Sequence, residues 1–342
     1  MVAVKPIHHG RSGARDVRYT LWVPSLGTAC GISEYTKHIA QETTPPTRIT
    51  ARPPRVAGVR VLHVQHEYAL FGEGNLNDVT QAMRDAHVPV VVTEHSVIIA
   101  ERPPGPIENP WERILFKARH EWEENADVLV ALSEHGVQVL RARWPAKRIV
   151  HLPHGCPTWF PPRKSTRGRV IGAFGFLGPH KGFTDLLRVL REVPGTELLI
   201  YSHPKYTEYE EQWLESIRGL PVQWIREYLP EEEIATRLAD RADVLTYWYR
   251  EGPLASSSGA VRVGLATGVP VLTSQIDSFT ELRDVTYQPE DLVDGVRRLL
   301  EDDELRRRLV STAREYCQSN SWAASANRHV ELWQELEATY RE

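Results

Sequence analysis

Cysteine is scarce in this chain of 342 residues: Cys30, Cys156 and Cys317 are widely spaced and form no CxxC pair. Such spacing argues against a disulfide framework and against a cysteine-based zinc site, and it suits a reducing compartment. All three read as small buried hydrophobes. No apolar run approaches the ~18 residues a spanning helix needs. The opening residues, Met1-Val-Ala-Val-Lys-Pro-Ile-His-His-Gly-Arg, lack the apolar centre of a secretory signal, so a cytoplasmic location is expected. An excess of one charge is missing too: 41 Lys+Arg against 45 Asp+Glu leave a formal charge of −4. That balance gives no electrostatic footprint for nucleic acid, which is not expected as a partner. Low-complexity tracts and short-period repeats are absent. So are the G-x-x-x-x-G-K-[ST] loop, the G-x-G-x-x-G fingerprint, the G-x-S-x-G elbow and the H-E-x-x-H helix.

What is present is a regular alternation of apolar, β-rich runs with helical patterns, the signature of parallel sheets covered on both faces. The first half supplies strand candidates at 19–23, 48–50, 60–65, 88–93, 127–132 and 148–152, with helical patterns at 33–40, 78–86, 111–125 and 135–144. The proline-rich stretch from Pro153 to Gly168 reads as a linker. A second series follows, with strands at 170–176, 197–201, 222–225, 243–248 and 270–273 and helices starting near Lys181, Tyr206, Glu231 and Ser257. The fold class is α/β, with two Rossmann-like domains facing across a cleft. They are expected to span 1–154 and 155–321, and the final helix, 322–342, with Trp333 and Leu336 on one face, should pack back on the first domain. The run from Glu301 to Arg308 reads as a solvated helix.

The stretch Tyr249 to Val271 holds the densest chemistry. A carboxylate, Glu251, precedes Ser257-Ser-Gly259 and a short helix at 260–267, all between two strands. Such a loop offers free backbone N–H groups to an anion at strand carboxyl ends, where open α/β sheets bind ligands. Other polar groups sit at strand ends in the first half. His63-Val-Gln-His-Glu-Tyr places Gln65, His66 and Glu67 there, and Val91-Val-Thr-Glu-His-Ser places His95 there. Three polar groups at one strand end are costly to bury without partners and are expected to line a cleft. The pairs His8-His9 and His151 with His154 have weak metal-ligand spacing and read as surface or linker residues; no metal is expected.

Taken in order, these landmarks resemble the retaining glycosyltransferases of the GT-B fold, and among them the large family 4 group. Leu26-Gly-Thr-Ala-Cys-Gly-Ile-Ser-Glu-Tyr, with Gly31, is similar to the glycine-bearing loop after that family's first strand; from the residues alone it is equally a plain tight turn. Gln65-His-Glu-Tyr-Ala-Leu-Phe-Gly and Thr93-Glu-His95 resemble its next strand ends. Phe174-Gly-Phe-Leu-Gly-Pro-His-Lys-Gly-Phe resembles its Gly-Arg-Leu-x-x-x-Lys-Gly element, whose lysine binds the donor diphosphate. Ala266-Thr-Gly-Val-Pro-Val closes the pattern.

The resemblance implies transfer of a sugar from a UDP- or GDP-linked donor to a small-molecule, lipid-linked or glycan acceptor, without a metal or other cofactor. It implies catalytic roles for His95, Glu251 and Lys181. Donor contacts would come from Lys181, Ser257, Ser258, Gly259, Arg262 and Gly31, and acceptor-side contacts from Gln65, His66 and Glu67. Two positions depart from the pattern: Phe176 stands where the family has arginine, and Val263 where it has a second glutamate. A catalytically inactive binding or scaffold protein, or a nucleotide-sugar epimerase, therefore stays open. So do the base, the sugar, the acceptor, peripheral membrane contact and oligomeric state. The loops at 69–75 and 98–109 are expected to read the acceptor.

Overall fold

The computed structural model describes residues 18–71, 75–99, 121–162, 168–204 and 207–341. Its first sheet is built from β1 (Tyr19–Trp22), β2 (Thr47–Thr50), β3 (Val61–His66), β4 (Val90–Glu94), β6 (Val128–Ala131) and β7 (Arg148–His151). These strands lie in the order β2-β1-β3-β4-β6-β7, all parallel. Every residue of β1, β3, β4 and β6 is buried, as expected where helices cover both faces of Val- and Leu-rich runs. The covering helices are α1 (Gly31–Glu42), α2 (Asn75–Asp85), α3 (Glu121–Asn125) and α4 (Glu134–Arg143). The strand order reverses between β1 and β3, which places the loops carrying Gly31 and Glu67 beside one crevice.

The second sheet repeats the plan with β8 (Val170–Phe174), β9 (Glu197–Tyr201), β10 (Val222–Ile225), β11 (Val244–Tyr247) and β13 (Val271–Thr273), ordered β10-β9-β8-β11-β13. Its helices are α5 (Phe183–Glu192), α6 (Thr207–Ser216), α7 (Glu231–Arg241), α8 (Gly259–Leu265), α9 (Leu292–Glu301) and α10 (Asp303–Ser319). Here the reversal falls between β8 and β11, and the loops after those strands carry Lys181 and the Glu251–Gly259 stretch. α11 (Trp322–Thr339) returns to the first sheet and packs against α1. Trp333 is fully buried there, its indole N–H donating to His63 Nδ1 at 2.9 Å, and Tyr19 Oη donates to Glu337 at 3.3 Å. Truncating so large a buried ring typically costs about 3–5 kcal/mol.

The two halves are joined by more than the linker. β5 (Ser96–Ile98) and β12 (Leu254–Ser256), three residues each, form an antiparallel ladder between the segments that follow β4 and β11. Three histidines of the first half also face carboxylates of the second: His38–Glu231 at 3.6 Å, His135–Asp277 at 3.4 Å and His151–Glu281 at 3.7 Å. Among the described residues no helix is long and apolar enough to cross a membrane.

Candidate active site

The loop after β8 passes through a short 3-10 turn, Pro179–Lys181, before α5. Gly182 follows in the left-handed region, at φ 63°, and a Cβ there would stand 1.8 Å from the carbonyl oxygen of Trp248. Only glycine permits that approach. It lets the loop lie flat on the segment after β11, where Arg250 N–H donates to His180 O at 2.9 Å and the Arg250 guanidinium grips Asp185 with bonds of 2.8 and 2.9 Å. Lys181 is thereby set over the Tyr249 ring, its Nζ 3.9 Å from the ring centroid. Among the described residues no carboxylate pairs with it.

Tyr249 Oη lies 3.1 Å from Ser258 Oγ, and Ser258 caps α8 by accepting from Val261 N–H. The Ser257 hydroxyl oxygen beside it is buried and has no hydrogen-bond partner among the described residues. Gly175, at φ 148°, faces the same spot: a Cβ there would meet Tyr249 Oη at 3.7 Å, Ala260 Cβ at 3.8 Å and Lys181 Cε at 3.9 Å. One ammonium, the Ser258 hydroxyl and the Gly175 backbone thus lie around a single position at the carboxyl ends of β8 and β11. Such a set suits an anion.

On the first-sheet side, His95 is 8% exposed and its Nε2 lies 2.9 Å from Gln65 Oε1, with the imidazole N–H donating to the amide oxygen. The Tyr35 ring stands edge-on at 4.8 Å. Burial, reinforced by His329, pushes the His95 imidazole down to about 3, so it works as a neutral group. Glu67 accepts from Ser96 Oγ at 2.6 Å. The β5–β12 register pairs Ser96 with Ser256, which carries Ser257 toward His95. His154 closes the seam: it is 7% exposed, its Nδ1–H donates to Gly155 O at 2.7 Å, and its Nε2 would meet a Cβ at Gly259 at 3.2 Å.

Several expected positions land elsewhere. Arg262 is fully buried under α8, bonded to Glu281 and, at 3.2 Å, to Ser258 O, so it presents no free cation to the cleft. Glu281 supplies the counter-charge that permits this burial. His66 is 2% exposed and packs on Trp122 with ring centroids 4.1 Å apart, because strand alternation turns it to the face opposite Gln65. His154 is not a surface linker residue, and His151 faces Glu281 across the seam. Val263 is buried on α8. Phe176 stacks on Tyr228, with centroids 6.0 Å apart and planes 19° from parallel. Gly31 starts α1 in the open, and Glu251 is exposed on the loop. Residues 1–17, 72–74 and 100–120 lie outside the described residues, and with them His8, His9 and parts of the two loops, 69–75 and 98–109, expected to read an acceptor. Among the described residues no group of three or more His, Cys, Asp or Glu is placed to hold a metal ion.

Composition and spacing gave no warning of Tyr35, Tyr249 or His154. Aromatic residues at strand ends and in helices read as core, and a histidine among prolines reads as linker. Tyr35 falls one helical turn after Gly31, which is the one pattern that connects it to the glycine loop.

No family model matches the chain, and no curated protein matches it. Solved structures do. Sucrose-phosphate synthase from Thermosynechococcus elongatus superposes with a TM-score of 0.70 at 17% identity, covering 94% of this chain and 100% of that one. HepE from Anabaena, solved in complex with UDP and glucose, gives 0.68 at 13% identity, covering 93% and 100%. A glycosyltransferase from Rickettsia africae gives 0.66 at 12% identity, covering 94% and 99%. The chain therefore has the GT-B fold, two Rossmann-like domains facing each other, along nearly its whole length.

Proposed function

We propose that the chain is a retaining glycosyltransferase that takes a sugar from a UDP- or GDP-linked donor and passes it to a small-molecule, lipid-linked or glycan acceptor. The observation that carries this reading is the Lys181 ammonium, without a carboxylate partner among the described residues and held with Gly175 and Ser258 around the Tyr249 side chain at the point where the second sheet reverses its strand order. Transfer passes through an oxocarbenium-like state while negative charge builds on the departing diphosphate. A cation and oriented hydroxyl and backbone N–H donors stabilise that charge without a metal ion. His95, held neutral, offers hydrogen bonding to the sugar, and exposed Glu251 flanks it from the second-domain loop. The bound UDP of HepE and the sugar-transfer names of the other two structures are consistent with this class of chemistry.

A second reading, a sugar-nucleotide-binding protein without transfer, draws on Phe176 in the arginine position and on Arg262 paired with Glu281, neither of which adds a second cation to Lys181. Incubating the chain with nucleotide sugars and following release of nucleoside diphosphate in EDTA separates the two. Release that grows on addition of an acceptor, with the α-anomeric configuration of an α-linked donor kept in the product, supports the transferase. Binding of donor with no release under any acceptor supports the alternative.

A further inference from the structure

Lys181 stands on a four-carbon stem that loses substantial rotamer entropy when it is fixed. With Phe176 in the arginine position and Arg262 turned inward to Glu281, neither of these positions gives the ammonium a second cation to share the work. Its placement therefore matters more than in a two-cation clamp. Directly beneath it lies Tyr249, 7% exposed, its ring centroid 3.9 Å from Nζ, well inside the ~6 Å reach of a cation–π contact. The same side chain holds Ser258 Oγ at 3.1 Å through its hydroxyl.

Tyr249 is itself immobilised from three directions. Its carbonyl accepts from Ser274 Oγ at 2.7 Å, its N–H donates to Tyr247 O at 3.0 Å, and its ring packs on Phe279 with centroids 5.1 Å apart. One rigid ring thus touches both donors that face the position beside Gly175.

We propose that Tyr249 is a positioning residue of the diphosphate site: its ring face orients the Lys181 ammonium and its hydroxyl sets the distance from that ammonium to Ser258. This rests on the donor-binding reading above. Preorganisation of this kind lowers the ordering cost met when a ligand binds. The ring does not touch the leaving group. It acts through the lysine.

The test replaces Tyr249 with phenylalanine and then with mono-, di- and trifluorinated phenylalanines, which drain electron density from the ring face while keeping its shape. UDP, GDP and the matching nucleosides are titrated calorimetrically into each variant, in the parent and in a Lys181→Ala background, with melting temperature as the folding control. Tyr249→Phe, which removes the hydroxyl contact to Ser258, is expected to weaken diphosphate binding by about threefold without changing nucleoside affinity, and an unchanged diphosphate affinity overturns the role of the hydroxyl. Successive fluorination should then weaken the diphosphate by a further threefold to tenfold or so, as expected for a partly desolvated cation–π contact. Nucleoside affinity should not follow, and in the Lys181→Ala background the fluorine series should be flat. A fluorine series that leaves diphosphate affinity unchanged, or that persists without Lys181, overturns the positioning role while leaving the donor site intact. A parent that binds neither UDP nor GDP overturns the donor reading and this inference with it.

Discussion

Ser256 lies opposite Ser96 in an antiparallel ladder that fastens the loop after β11 to the segment after β4. Ser96 follows His95 and Ser256 precedes Ser257, so one short ladder fixes the spacing of residues contributed by two different sheets. The contact is reinforced where Ile99 N–H donates to Pro253 O at 2.9 Å. Proximity of this kind converts the docking of two domains into a preset geometry for the groups between them.

Breaking the ladder should uncouple binding from turnover. Ala255→Pro removes a backbone donor from the middle residue of β12 and imposes its own φ. Nucleoside diphosphate affinity should change by less than about threefold, because Lys181 and Tyr249 lie outside the ladder, while sugar transfer falls at least tenfold. Equal losses in both would show that the ladder supports the donor loop itself.

His95→Ala should leave nucleotide affinity nearly intact and lower transfer, since His95 bonds Gln65 on the first-sheet side and not the Lys181 cluster. Loss of a single positioned hydrogen-bonding group in a closed site commonly costs about 100-fold in turnover. Steady-state kinetics beside calorimetry reads both quantities.

Acid should destabilise the fold. Burial holds His63, His95, His154 and His329 neutral, pushing His95 down to about 3 and His329 to about 4, and the other two well below the usual value. An unfolded histidine takes up its proton near pH 6.5. Above that pH neither state is protonated and stability is indifferent to these groups. Below it the unfolded chain binds protons that the folded chain refuses, so stability falls at about 1.4 kcal/mol per pH unit for each proton. Glu94 works in the opposite sense, because burial and Glu123 raise it well above the usual carboxylate value. Four histidines less one carboxyl leave a net slope of up to three protons between about pH 6 and pH 4.5. Urea unfolding at pH 7.5, 6.0 and 5.0 measures it, and a flat profile contradicts the assignment of these groups as neutral.

Gly182→Ala should disturb the donor loop more than its size suggests. The left-handed backbone alone costs a β-carbon about 1–3 kcal/mol, and the collision with Trp248 O adds to that. A lower melting temperature together with weaker nucleotide binding is expected. Unchanged values for both would show that the loop does not depend on the close approach.

Most strands of the two main sheets were legible because they fall within apolar, β-rich runs set off by helical patterns. The runs at 197–201 and 222–225 match β9 and β10 residue for residue. β5 and β12 were not legible: three residues carry no period, and their partner lies in another domain. The resemblance brought Lys181 forward, the glycine and serine of the Ser257–Gly259 loop marked a special backbone, and both segments follow the strands at the sheet's switch point. Arg262 could not. Its direction depends on Glu281, nineteen residues further on in the 3-10 turn Asp277–Leu282. His66 was misplaced for a related reason, since a polar side chain at a strand end is assigned to a cleft only once its neighbours Trp122 and Phe71 are known.

Calorimetric titration of UDP and GDP into the parent and into Lys181→Ala, with EDTA present, tests the central claim most directly. A charge-assisted contact to a diphosphate is worth about 1.5–3 kcal/mol, so the account predicts binding of one nucleotide by the parent and affinity lower by roughly tenfold to a hundredfold in the variant. Equal affinity in the two proteins would contradict the assignment of Lys181 to the diphosphate, and absence of binding by the parent would contradict the donor site altogether.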